Sequence, residues 1–172
     1  MEGMVYIFTG DGKGKTSAAL GVAVRAVSAG MKVAMIQWYK EKRWPISEHN
    51  LPKKLKGIKI YPMGHGFYKL PTDHATPDQH KQAAKEALNK ASTLINQVDV
   101  LVLDEVNNAV KDGLIDLIDL ISLISKRGKT HLILTGRDVH KKLIKLADLV
   151  TEMKKIKHPF DQGRKAVKGL DF

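Results

Sequence analysis

The 172-residue sequence contains no cysteine. That excludes disulfides, thiolate metal sites and a cysteine nucleophile, and it is compatible with a reducing cytosol. Aromatic residues are scarce, at 6%, so stacking platforms for single-stranded nucleic acid would be sparse. Apolar runs such as Val98–Leu103, itself interrupted by Asp99, fall far short of the ~18 residues a membrane span needs. The chain opens Met-Glu-Gly-Met-Val-Tyr, with neither the basic segment nor the apolar stretch of a signal peptide. These absences predict a cytoplasmic protein with no membrane association.

Acidic charge is in deficit: 18 Asp and Glu stand against 29 Lys and Arg, a net charge of +11. Such a balance favours an anionic partner, whether nucleotide, nucleic acid, acidic protein or anionic lipid. The cations lie in separate clusters, Lys40–Arg43, Lys53–Lys59, Lys141–Lys145 and Lys154–Lys168. They are therefore read either as a lysine-rich solvated surface or as a functional basic face. Length and a hydrophobic content of 43% suit one domain spanning 1–172, with 154–172 as a basic, irregular tail.

Val5–Phe8 reads as a first strand, followed by glycines and then an Ala/Val/Leu-rich helix over Lys15–Ser28, closed by Gly30. Lys32–Trp38 and Ile58–Met63 read as strands, with a basic loop or short irregular helix over 40–57. Thr76 is a candidate N-cap for a helix from Pro77 to about Gln97. Val98–Asp104, apolar from Val98 to Leu103 but for Asp99, has the character of a buried parallel strand. Leu114–Lys126 reads as a helix, Thr130–Thr135 as a strand, Asp138 as the cap of a short helix to Ala147, and Leu149–Met153 as a last strand. Strands alternating with helices predict an α/β fold with a mostly parallel sheet flanked by helices. Ligands in such sheets bind at the carboxyl ends of the strands.

Three polar signals fall at those ends. The first is Gly10-Asp11-Gly12-Lys13-Gly14-Lys15-Thr16, between a strand and a helix. Glycines let backbone N–H groups turn toward phosphate oxygens, and the helix N-terminus adds its dipole. Lys15 supplies a charge for phosphate and Thr16 a hydroxyl for Mg²⁺. The usual P-loop pattern wants glycine at position 9, which is Thr9; this loop is one residue tighter. The second signal is Asp104-Glu105, carboxylates suited to Mg²⁺ or, in a hydrolase, to orienting water. The third, Thr135-Gly136-Arg137, either reaches phosphate or places Arg137 in a surface ion pair. Phe67, in a glycine-flanked loop, either packs or lies over a ligand face. The seven histidines show no spacing of a zinc site.

These residues resemble a known family, the ATP:corrinoid adenosyltransferases of the CobA/BtuR type. The likeness lies in Thr9–Thr16, in Arg25-Ala26 with Gly30, in Gly64–Phe67, and in Asp104, Glu105 and Asn107. It continues through Leu134–Arg137, Ala147–Met153, Lys157–Gly163 and Lys168–Phe172, so it runs in order along nearly the whole chain. The resemblance implies a RecA-like P-loop fold, commonly as a homodimer. It implies transfer of the 5′-deoxyadenosyl group of ATP to the Co(I) of a reduced corrinoid, with release of triphosphate. ATP would lie reversed in the loop relative to P-loop hydrolases. Carried onto this chain, Gly10, Asp11, Gly12, Lys13, Gly14, Lys15 and Thr16 would bind phosphates. Thr16, Asp104 and Glu105 would serve Mg²⁺, with Lys15, Thr16 and Glu105 as the catalytic set. Arg137 would bind nucleotide and Phe67 would sit on the corrinoid side. The family's tryptophan two residues after that phenylalanine is replaced by Lys69. An acidic flavoprotein would suit the basic surface as reductant. The alternative is a P-loop ATPase acting on nucleic acid, which would yield adenosine diphosphate and phosphate instead of intact triphosphate.

Overall fold

The computed structural model describes residues 2–172. Six parallel strands form one sheet: β1 (Val5–Thr9), β2 (Val33–Gln37), β3 (Ile58–Pro62), β4 (Val100–Asp104), β5 (His131–Thr135) and β6 (Leu149–Glu152). They lie in the order β3-β2-β4-β5-β1-β6. Every residue of β2 and β4 is buried, as expected of central strands covered on both faces.

The period of two along the strands divides the core. Val5 and Ile7, Ala34 and Ile36, and Leu101 and Leu103 point to one face; Phe8, Met35, Val100 and Val102 point to the other. The first face is covered by α3 (Pro77–Leu94), α4 (Val106–Lys111), α5 (Leu117–Ser125) and α6 (Lys141–Leu146). The second receives α1 (Lys15–Ser28) through Ala19, Ala23 and Ala26. Those three alanines recur at helical spacing and let α1 lie close to the sheet. The short α2 (Leu51–Lys54) covers the β3 end.

Local signals set several boundaries. Beyond α1, the N–H of Gly30 (φ 84°) donates to Val27 and that of Met31 to Ala26, the paired bonds of a Schellman ending. Thr76 and Gln79 form a reciprocal capping box at the start of α3, with Pro77 in the first turn. Other boundaries differ from expectation. The helix expected over Leu114–Lys126 begins only at Leu117, because Leu114 and Ile115 bond back to the Ala109 carbonyl and form the turn after α4. Helix α3 ends at Leu94 instead of about Gln97. Asp138 is not a helix cap: it sits at φ 51° and pairs with Lys111, while His140 Nδ1 accepts the Lys142 N–H and caps α6. The segment after β6 is not wholly irregular, since Pro159–Gln162 forms a 3₁₀ turn.

Candidate active site

The loop after β1 is shaped by two glycines in the left-handed region, Gly10 (φ 96°) and Gly14 (φ 119°). Gly12 is required for a different reason. Its N–H donates to the Met153 carbonyl at 2.6 Å, and a Cβ there would stand 2.6 Å from that same oxygen. The end of β6 is therefore pressed against the loop. Gly12→Ala is expected to cost roughly 1–3 kcal/mol of stability, as overpacking does, and to weaken nucleotide binding; denaturant titration and calorimetry with ATP check the two effects.

Lys15 opens α1 and is only 7% exposed. Its ammonium donates to the carbonyls of Gly10 at 2.7 Å and Gly12 at 2.9 Å, bracing the loop from within. Burial lowers its pKa, and the nearby Glu105 charge opposes that shift. Thr16, the next residue, donates its hydroxyl to Asp104 Oδ1 at 2.9 Å.

Asp104 ends β4 and is fully buried. Its Oδ1 also accepts from the Thr135 hydroxyl at 2.7 Å, and its Oδ2 from Gln37 Nε2 at 3.1 Å. Burial raises its pKa, and those donors pull it back. Glu105 follows in the left-handed conformation (φ 63°), with its N–H donating to Thr135 Oγ1 at 2.8 Å. Burial, then the neighbouring Asp104 charge, push its pKa up to about 7. Two adjacent carboxylates, Asp104 buried and Glu105 half-buried, with raised pKa values form a place where a cation would be welcome.

A cavity of about 400 Å³ opens over the loop, a volume suited to a small ligand. Lys13–Ser17 and Glu105 line it, together with Lys40, Ser47, Glu48 and Gly169–Phe172. The structure thus brings together the loop, Thr16 and the Asp104-Glu105 strand end. Arg137 is exposed and does not line this cavity, although its charge is felt at both Lys15 and Glu105. Asp11 is likewise exposed beside the loop. Phe67 stands apart, 43% exposed, with Trp44 (centroids 5.4 Å) and Tyr39 (6.3 Å) packed against it. Trp38 is core, its indole donating to the Ala84 carbonyl.

Gln37, Ser47 and Glu48 carry no signal in the sequence, where Lys40 reads only as part of a basic cluster and the place of the tail is open. The tail folds back over the loop: Asp171 pairs with Lys13, and the Ser47 hydroxyl donates to the Phe172 backbone oxygen at 2.8 Å. Asp171 thus supplies an internal anion to a lysine of the glycine loop. Asp171→Asn is expected to tighten binding of inorganic triphosphate about threefold, on the scale of a partly exposed ion pair; calorimetry in low salt reads this directly.

An all-parallel sheet, a glycine loop between first strand and helix, and an acid-tipped strand one place removed define a P-loop nucleotide-binding protein of the RecA-like type. Two solved structures share the fold. The flagellar accessory protein FlaH of Methanocaldococcus jannaschii matches with a TM-score of 0.64 at 16% identity, over 88% of this chain and 71% of that one. The KaiC-like protein PH0186 of Pyrococcus horikoshii matches with a TM-score of 0.56 at 14% identity, over 91% and 75%.

The sequence narrows the class. Residues 1–172 match the model of the ATP:corrinoid adenosyltransferase BtuR/CobO/CobP family, and the chain belongs to that family. Relatives include the corrinoid adenosyltransferase of Escherichia coli K12, 35% identical over 99% of this chain and 86% of that protein. Corrinoid adenosyltransferase CobA of Salmonella typhimurium is 36% identical, with the same coverage. The corrinoid adenosyltransferase of Pseudomonas aeruginosa is 35% identical, over 99% and 84%.

Proposed function

We propose that this chain moves the 5′-deoxyadenosyl group of ATP onto the cobalt of a reduced corrinoid. The Co(I) electron pair attacks C5′ of the ribose, the C5′–O bond breaks, and triphosphate leaves with the bonding pair. Cobalt is thereby oxidised to alkyl-Co(III). The observation that carries this reading is the gathering of Lys13, Lys15 and Lys40 on one cavity at the strand ends, within a chain of this family. The nucleophile is the corrinoid's own, so the protein's work is to aim C5′ and to stabilise the charge of the departing group. Lys15, braced on Gly10 and Gly12, is preorganised for that charge.

The donors present fit Mg²⁺. Thr16, Asp104 and Glu105 offer hard oxygen ligands. Among the described residues no group of three or more His, Cys, Asp or Glu side chains gathers to hold an ion by itself. That suits Mg²⁺, which takes one or two carboxylates and completes its shell with phosphate and water. When bound, the ion would offset charge on the triphosphate. Asp104 would act through Thr16, because the Thr16 hydroxyl already donates to it. Glu105 would face the ion directly or through water. The exposed Arg137 would add to the positive field around the leaving group.

Phe67 would meet the corrin, with Trp44 extending its apolar surface and the buried Tyr39 backing it. Trp44 thus brings an indole to Phe67 from a distant part of the sequence, where Lys69 leaves none nearby. We place the enzyme in the cytoplasm, as a homodimer served by a flavoprotein reductant; the net charge of +11 supports an acidic donor. No helix among the described residues is long and apolar enough to cross a membrane.

The test mixes ATP, Mg²⁺ and chemically reduced cobalamin and follows the light-sensitive cobalt–carbon chromophore. Its appearance with wild-type protein is expected. No alkylcorrinoid from any reduced corrinoid, with ATP still consumed, would sink the reading and favour a hydrolase.

A further inference from the structure

Gln37 ends β2, is fully buried, and carries a side-chain amide whose every contact belongs to another part of the site. Its Nε2 lies 3.1 Å from Asp104 Oδ2 and 3.3 Å from Glu48 Oε1; its Oε1 lies 2.9 Å from His49 Nε2. The amide can sit only one way. Turned over, its oxygen would face two carboxylates, and neither would have a donor from it. The orientation in turn requires His49 to present an N–H at Nε2. One chain of hydrogen bonds therefore runs from His49 through Gln37 to Asp104, whose other oxygen holds the Thr16 and Thr135 hydroxyls.

The far end of that chain matters for the ligand. His49 and Glu48 belong to the short turn Ser47–Asn50, and Ser47 and Glu48 line the cavity over the phosphate loop. A nucleotide seated there touches the turn on one side and Lys15-Thr16 on the other. Gln37 is the buried tie between the two walls.

We infer that Gln37 is a positioning residue for the nucleotide, locking the Ser47–Asn50 turn to Asp104 with His49 fixing its orientation. The inference rests on the reading of this cavity as the ATP site. It contributes rigidity: a network in which every member has its partner holds the site in one geometry before the ligand arrives.

A double-mutant cycle on ATP binding, with turnover measured alongside, tests the inference. Gln37→Met keeps the shape and removes both hydrogen-bonding ends. It is expected to raise the Kd for ATP, by calorimetry without corrinoid, about tenfold, since it strips a donor from the buried Asp104 and another from the half-buried Glu48. KM for the corrinoid should stay unchanged, which a general loss of structure would not allow. His49→Ala, at a less buried position, should raise the same Kd about threefold, and His49→Gln, which restores an N–H donor, should recover most of that. The double variant Gln37→Met/His49→Ala should bind as Gln37→Met alone does, because His49 acts only through Gln37. Effects that multiply would overturn the inference. So would an unchanged Kd in Gln37→Met, or equal effects on ATP and corrinoid. If Gln37→Met fails to fold, loss without recovery across the two His49 variants, or no loss in His49→Ala, overturns it instead. A wild-type protein that binds ATP but alkylates no corrinoid would refute adenosyl transfer and leave this inference standing.

Discussion

Replacing Lys15 with alanine is expected to lower kcat/KM for ATP by about two to three orders of magnitude, the scale on which one preorganised charge donor to a transition state is lost. The structure gives two reasons for so large an effect. Lys15 is the most buried of the cations that line the cavity, so its field is little screened by water. It also braces the loop through the carbonyls of Gly10 and Gly12; without it, the backbone N–H groups proposed to meet phosphate lose their fixed direction. Lys13 cannot substitute, being part-exposed and engaged with Asp171. Steady-state kinetics with varied ATP, together with a thermal melt to show that the variant is folded, checks this. A Lys15→Ala enzyme with wild-type kcat/KM would remove the phosphate-loop assignment.

The second large effect is a dependence on pH centred on Glu105. Its pKa is about 7 in the folded chain, against 4.5 as the ordinary value, and the first cause is burial. Between those two values the folded state holds a proton that the unfolded state has released. Stability of the ligand-free protein therefore falls as pH rises through this window, by about 3 kcal/mol in all. The contribution is complete below pH 4.5 and gone above 7. Asp104 is shifted in the same direction, so the informative quantity is the difference from Glu105→Gln, in which the Glu105 share of the slope vanishes. Binding has the opposite sign. A cation needs the carboxylate form, so affinity for ATP with Mg²⁺ should rise with pH up to about 7 and then level off. In Glu105→Gln it should be weaker and flatter. Denaturant titrations and calorimetry from pH 5 to 8 measure both trends; a wild-type stability that rises across this range relative to Glu105→Gln would contradict the assignment.

The parts legible in the sequence are those written in short-range patterns. Apolar runs such as Val100–Leu103 mark central strands, glycines at 10, 12 and 14 mark the loop, and Thr76 with Pro77 marks a helix start. The Asp104-Glu105 pair is likewise visible as two acids ending an apolar run. What stayed hidden depends on residues far apart in the chain. Gln37 reads as an ordinary strand residue until β2 is seen beside β4, which brings it to Asp104, 67 positions away. Lys40 and Glu48 lie in a basic stretch without periodicity, and only the fold turns them toward the loop. Helix α4 escaped notice because it is six residues long and starts from Glu105 in the left-handed region, without a side-chain cap. Gly12 reads as a phosphate-binding glycine, whereas the close approach of Met153 to it requires knowing that β6 lies next to β1. Asp171 is an unremarkable acid in a basic tail until the tail returns to Lys13.

The central claim is that ATP is opened at C5′ and its three phosphates leave together. Phosphorus NMR of the reaction with Mg²⁺ and chemically reduced cobalamin reads this most directly. The predicted result is free triphosphate appearing in step with the alkylcorrinoid, with no adenosine diphosphate. Adenosine diphosphate and orthophosphate, without triphosphate, would contradict it.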